Sequence, residues 1–87
     1  MKYIYAVKDL AVQAFGQPFT TRSPGEALRS FKDEVNRKGP EANIAAHPED
    51  YELHHIGTYH EATGLIEPCE VELTARAKDL VETNGAN

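Results

Sequence analysis

The chain has 87 residues, of which 40% are hydrophobic and 26% charged, with a formal net charge of −5. That is one domain whose small core leaves about 3–5 kcal/mol of net stability and little room for a large catalytic cleft. The one cysteine, Cys69, excludes an internal disulfide, and Lys8 and Asp9 interrupt the apolar start, which reads as neither a signal peptide nor a membrane span.

"KYIYAVKD", residues 2–9, is rich in aromatic and β-branched residues and predicts a strand. Alternation sends Tyr3, Tyr5 and Val7 to one side and Ile4 and Ala6 to the other; both sides are apolar, as in an interior strand. "LAVQAFGQ" is a helical turn or a loop, broken by Gly16 and Pro18, and "PFTTR" predicts a short strand pairing back onto the first. "SPGEALRSFKDEVNRKGP" predicts a helix of about 15 residues. Ser23 and Glu26 have the spacing of a capping box, and Pro24 suits the first helical position. Ala27, Leu28, Phe31 and Val35 form its apolar face, and Gly39 with Pro40 ends it. Residues 41–50 connect, with a helical turn from Pro48. Residues 51–59 predict a strand, 60–64 a hairpin loop with Gly64 at positive φ, and 65–73 the returning strand, where Pro68 marks an edge or a bulge. Residues from 74 on predict a short helix that frays. The expected fold is therefore α+β in the order β-(β)-α-β-β. It has a small, mostly antiparallel sheet of three to four strands with one helix packed on one face, a single domain over 1–81 and a frayed tail over 82–87.

Four histidines, His47, His54, His55 and His60, crowd residues 47–60. On an unbroken strand His54 and His60 share a face but lie about 20 Å apart, and His55 has the opposite parity to both. No HExxH or CxxC spacing occurs, so no metal and no cofactor is expected. Cys69 lies on the strand that pairs with the one holding His54 and His55, which leaves a thiol–imidazole pair as the one enzymatic option. The alternative is a half-buried thiol acting as a small apolar residue, and the chain is read as a non-enzyme.

Binding surfaces follow from charge. Residues 1–39 hold seven Lys/Arg against four Asp/Glu, a balance of +3; residues 40–87 hold two against ten, a balance of −8. A helix over one sheet face leaves the other bare, and Tyr3, Tyr5 and Tyr59 are expected on that bare face. They would serve as a homodimer interface or as stacking platforms for single-stranded bases, with Lys8, Arg22, Arg29 and Lys32 supplying phosphate contacts. The acidic half offers Glu67, Glu70 and Glu72 to a basic protein partner instead.

The runs "AFGQPF", "ALRSFKDEVN" and "HPEDYELHHIGTYHEATG", in this order and spacing, resemble the small nonstructural protein of gokushovirus-type microviruses, tailless phages with single-stranded DNA. The shared pattern comprises Phe15, Gly16, Pro18, Phe19, then Ala27, Arg29, Phe31, then Pro48 to Tyr51 with Leu53, Ile56, Gly57, Tyr59, Thr63 and Gly64. His55 stands where an aromatic is usual and His60 where an acid is usual, so the imidazoles occupy ordinary sheet and turn positions. The resemblance implies a DNA-binding accessory factor in replication or packaging of viral DNA, in the host bacterial cytoplasm. It assigns no active surface. Two function classes remain: a homodimeric factor that touches single-stranded DNA weakly, and an adaptor that docks a phage or host replication or capsid protein without touching DNA.

Overall fold

A computed structural model describes residues 1–82. Lys2–Asp9 forms β1, Ala14–Phe15 β2, Phe19–Thr21 β3, Tyr51–His60 β4 and Leu65–Arg76 β5; Pro24–Val35 is helix α1 and Asn43–Ala46 a single turn, α2. Short 3-10 turns cover Pro48–Asp50 and Ala77–Leu80. The sheet is antiparallel in the order β2-β1-β4-β5, with β3 following β2 along the same edge of β1. The α+β architecture read from the sequence is the one observed.

The predicted elements are present, with altered ends. The helix stops after Val35, short of Arg37 and Gly39, because the Asn36 side chain takes over its C-terminus. Asn36 Nδ2 donates to the carbonyls of Lys32 (2.9 Å) and Leu80 (3.0 Å), and its Oδ1 accepts the Glu82 N–H (2.8 Å). These bonds hold the segment after β5 against the helix end. The expected tail falls outside the described residues apart from Glu82. At the N-terminus Ser23 Oγ accepts the Glu26 N–H at 3.1 Å. Glu26 reaches one residue further back than a capping box requires, accepting the Arg22 N–H at 2.9 Å. Strand β5 runs to Arg76, so the final helical turn begins later than predicted.

Helix α1 covers the side of the sheet that bears Tyr5. Tyr5, Ala27, Phe31, Val35, Leu53 and Ala77 form the buried core, with Tyr3, Val7, Phe19 and Ala75 packed around it. Leu28, expected on this face, is 39% exposed. Thr21 is the buried polar residue here, and its hydroxyl donates to the Ser23 carbonyl at 3.0 Å. Each large apolar side chain so buried contributes about 1.5–3 kcal/mol.

Three register irregularities shape β4, one of them a shift against β5 from Leu53↔Ala75 to His54↔Leu73. Tyr5 pairs with His55 but Ile4 pairs with Gly57, so Ile56 is an extra residue in β4. Against β5 the same stretch slips again, from His55↔Glu72 to Gly57↔Pro68. A Cβ on Gly57 would lie 2.7 Å from the Glu67 carbonyl oxygen, closer than a side chain tolerates. The hairpin closes through His60–Gly64, with Gly64 at φ +76° and its N–H on the His60 carbonyl at 2.7 Å.

Candidate nucleic-acid interface

A bulge inserts one residue and exchanges the faces of everything beyond it. Directly opposed residues share a face, so the register assigns the sides. Tyr5, His55, Val7 and Leu53 lie under the helix. Past Ile56, Thr58 pairs with Tyr3 on that same side, and Tyr59 pairs with Lys2 on the other. Tyr3 and Tyr5 therefore do not occupy the bare face. Tyr5 is 2% exposed in the core, and Tyr3 packs beside it. Only Tyr59 of the three lies on the open side. The alternation of β1 is the expected one, but both its sides are apolar, so the pattern alone does not say which side the helix takes. The one-residue bulge then separates Tyr59 from its expected companions.

The open face combines β1 residues Lys2, Ile4, Ala6 and Lys8 with Phe15 and Thr20 from the short edge strands. β4 adds Glu52, His54, Gly57 and Tyr59, and β5 adds Ile66, Pro68, Leu73 and Arg76. No helix covers it. Phe15 is 44% and Ile66 62% exposed. Lys8 Nζ sits 5.7 Å from the Phe15 ring centroid, and the His54 ring meets Phe15 edge-on at 5.2 Å. Glu52 is held by its neighbours: His54 Nε2 lies 3.1 Å from Oε1 and Arg76 Nε 3.6 Å from Oε2. Among the residues this register places here, Lys2, Lys8 and Arg76 oppose the single carboxylate of Glu52. Arg76 is paired with Glu52, and Lys2 lies near the carboxylates of Glu26 and Glu61, so Lys8 is the cation of this set without a nearby carboxylate partner among these pairs. A shallow cleft of about 270 Å³ opens between Ile4, Pro18, Phe19, Thr20, Tyr59 and Ile66.

The other expected contact residues are scattered. Arg22 is spent on Glu26, with Nε and Nη2 at 3.1 and 3.0 Å from Oε2. Those bonds, the Arg22 N–H first, hold the Glu26 carboxyl below its ordinary range. Arg29 and Lys32 lie on exposed positions of α1, on the side of the molecule away from the open face, and Lys32 pairs with Glu82 at 3.5 Å. Of the expected residues, Lys8 lies beside Phe15 at one end of β1 and Tyr59 pairs with Lys2 at the other, both pairs on the open face. Phe15 was not singled out from the sequence because β2 is two residues long and shows no periodicity; its only signal is an aromatic before the Gly16–Pro18 turn.

The histidines also separate. With the bulge, His54 lies on the open face and His60 on the helix side, at the hairpin tip against Glu67; the expectation that His54 and His60 share a face is corrected by the same inserted residue. His47, Glu49 and Asp50 form the one cluster of three donors within 4.8 Å of one another found among the described residues. It sits in a turn, with His47 and Glu49 exposed and Asp50 half-buried. His55 does approach Cys69, with Nδ1 3.6 Å from Sγ, beneath Tyr3 and Tyr5. An activated nucleophile also needs a group that orients the base, and His55 Nε2 is buried with no such partner among the described residues. Burial, with Tyr3, Glu72 and Cys69 nearby, pushes the Tyr5 phenol above its ordinary pKa. On β5, Glu67, Glu70 and Glu72 are all exposed; Glu67 is paired, and Glu70 and Glu72 have no ion pair among the described residues. No helix among the described residues is long and apolar enough to cross a membrane.

A family model described as Phage ORF5 protein matches residues 2–80, from the start of β1 to the last 3-10 turn. No curated protein and no solved structure shows significant similarity to the chain. With nearly its whole length matched, the chain belongs to the Phage ORF5 protein family.

Proposed function

We propose that this phage protein is a non-enzymatic accessory factor in the replication or packaging of single-stranded viral DNA, of the kind carried by gokushovirus-type microviruses, and that it acts in the host cytoplasm. It binds single-stranded DNA weakly through the open sheet face. The observation that carries this reading is a helix-free sheet face that sets Phe15 beside Lys8 at one end and Tyr59 beside Lys2 at the other. Aromatic rings stack on unpaired bases of any sequence while lysines meet the backbone. Two to three phosphate contacts give a modest salt slope, so affinity for an oligothymidine falls about 7- to 20-fold between 50 and 200 mM salt. Fluorescence anisotropy measures it. Lys8→Gln and Phe15→Ala each weaken binding, and Tyr3→Ala lowers thermal stability instead. Absence of binding by micromolar protein at 50 mM salt refutes the proposal.

The homodimer belongs to the same reading. Leu73 and Ile66 lie on the open face of β5, next to the proposed DNA track, and a second copy over Leu73 removes exposed apolar surface. Edge-to-edge strand pairing is disfavoured, since Pro68 and three glutamates line β5. Light scattering tests it, and Leu73→Glu is expected to leave monomers.

One observation favours the adaptor reading: Glu70 and Glu72 are exposed carboxylates free of ion pairs among the described residues. Capture of a basic phage protein that is lost on Glu70→Gln with Glu72→Gln, with no DNA binding by the wild type, decides for it.

A further inference from the structure

We propose that the cleft between Ile4, Pro18, Thr20, Tyr59 and Ile66 is a slot for one unpaired nucleobase; this rests on the single-stranded DNA reading above. Its volume, about 270 Å³, is below the range of drug-sized sites and suits a single ring system. Its walls are those a flat ring needs. Tyr59 contributes an aromatic ring, Ile4, Ile66 and the Pro18 ring an apolar surface, and Phe19 and Thr20 complete a lining that is almost wholly apolar. Glycine at position 57 keeps the strand beside this wall free of a side chain.

The charges select a nucleotide over an apolar protein side chain. The pairing Lys2↔Tyr59 sets a cation beside the cleft, within range of the Glu26 and Glu61 carboxylates, and the pairing Lys8↔Phe15 sets a second cation beside a second ring at the far end of β1. Six residues of strand separate the two stations by about 20 Å. At 3.4 Å per nucleotide in a stacked strand that distance is covered by about six nucleotides, and by fewer in an extended one. The structure thus assigns a short footprint, anchored by a base in the Tyr59 cleft and by a base on Phe15. A duplex cannot use it, because its paired bases present no free ring face.

Hexathymidine is the probe, with the matching duplex and an abasic hexamer as comparisons. Wild-type protein is expected to bind dT6 nearly as well as dT12, and to bind the duplex and the abasic strand weakly. Tyr59→Ala loses about 5- to 150-fold in affinity for dT6, the range for one stacked base, while Tyr59→Phe stays close to wild type. Circular dichroism establishes that Tyr59→Ala is folded. Tyr59→Trp gives an independent readout, since the chain has no tryptophan of its own and its indole emission is quenched when dT6 enters. Wild-type binding of dT12 with Tyr59→Ala unchanged, or with no quenching in Tyr59→Trp, overturns the slot and leaves the broader reading standing. Affinity that climbs steeply from dT6 to dT12 overturns the footprint. Failure of the wild type to bind dT12 at low salt overturns both the slot and the reading it rests on.

Discussion

Ile56 is one extra residue, and it decides which tyrosine is available to a ligand. Without it, Tyr59 shares a side with Tyr3 and Tyr5 under the helix; with it, Tyr59 turns outward beside Lys2. Gly57 is the residue that permits this arrangement, because the backbone of Glu67 occupies the place of its Cβ. Gly57→Ala is expected to force the two strands apart locally, costing about 1–3 kcal/mol as overpacking does. The loss shows in a chemical denaturation midpoint, and single-stranded DNA binding falls with it because Tyr59 is displaced. Wild-type stability and affinity together in Gly57→Ala contradict this account of the bulge.

Helix α1 illustrates how much of an element is local. Ser23, Pro24 and Glu26 specify its start by chemistry within one turn, and the bonds form nearly as the spacing demands. The carboxyl of Glu26 lies below its ordinary pKa of 4.5, chiefly through the Arg22 N–H and then the Arg22 side chain. A native pKa lowered in this way contributes stability above the unfolded value that is lost as pH falls through the native value. Thermal melts of wild type and Glu26→Gln are therefore expected to differ at pH 7 and to converge on acidification below about pH 4. A constant gap across that window would show that the carboxylate charge plays no part. The end of the helix has a different origin. Asn36 bonds to the Leu80 carbonyl and the Glu82 N–H, residues more than forty positions away, and no local pattern announces them.

On the scale of the molecule, one helix on one face produces two unlike surfaces. The covered side is organised by Phe31, which packs with Tyr5 and Leu53 and is 3% exposed. Phe31→Ala is expected to cost about 3–5 kcal/mol, comparable with the whole stability of a domain this small. Circular dichroism is expected to find it largely unfolded near room temperature. Lys8→Gln, by contrast, is expected to leave the melting temperature within a few degrees and to weaken the proposed binding of single-stranded DNA. That contrast separates the core side from the binding side, and a reversal of the two phenotypes refutes the division. The β4–β5 hairpin helps give the molecule its length of 49 Å against widths of 25 and 21 Å.

The sequence by itself did not determine β2 or α2, but it did determine β1, β3, β4, most of β5 and α1, where α1 begins, the hairpin turn at Gly64 and the antiparallel α+β class. All of these depend on contacts within a few residues, or on a period of two or 3.6. It also singled out Lys8 and Tyr59, both of which lie on the open face. Only the tertiary structure decided which side of β1 the helix takes, because Tyr3–Tyr5–Val7 and Ile4–Ala6 are both apolar and either would satisfy a core. Only the pairing of β4 with β1 and β5 decided the bulge at Ile56, and through it the opposite fates of Tyr5 and Tyr59. Register is set by partners distant in the chain, and a shift of one residue exchanges the two faces of a strand without changing a letter of its pattern.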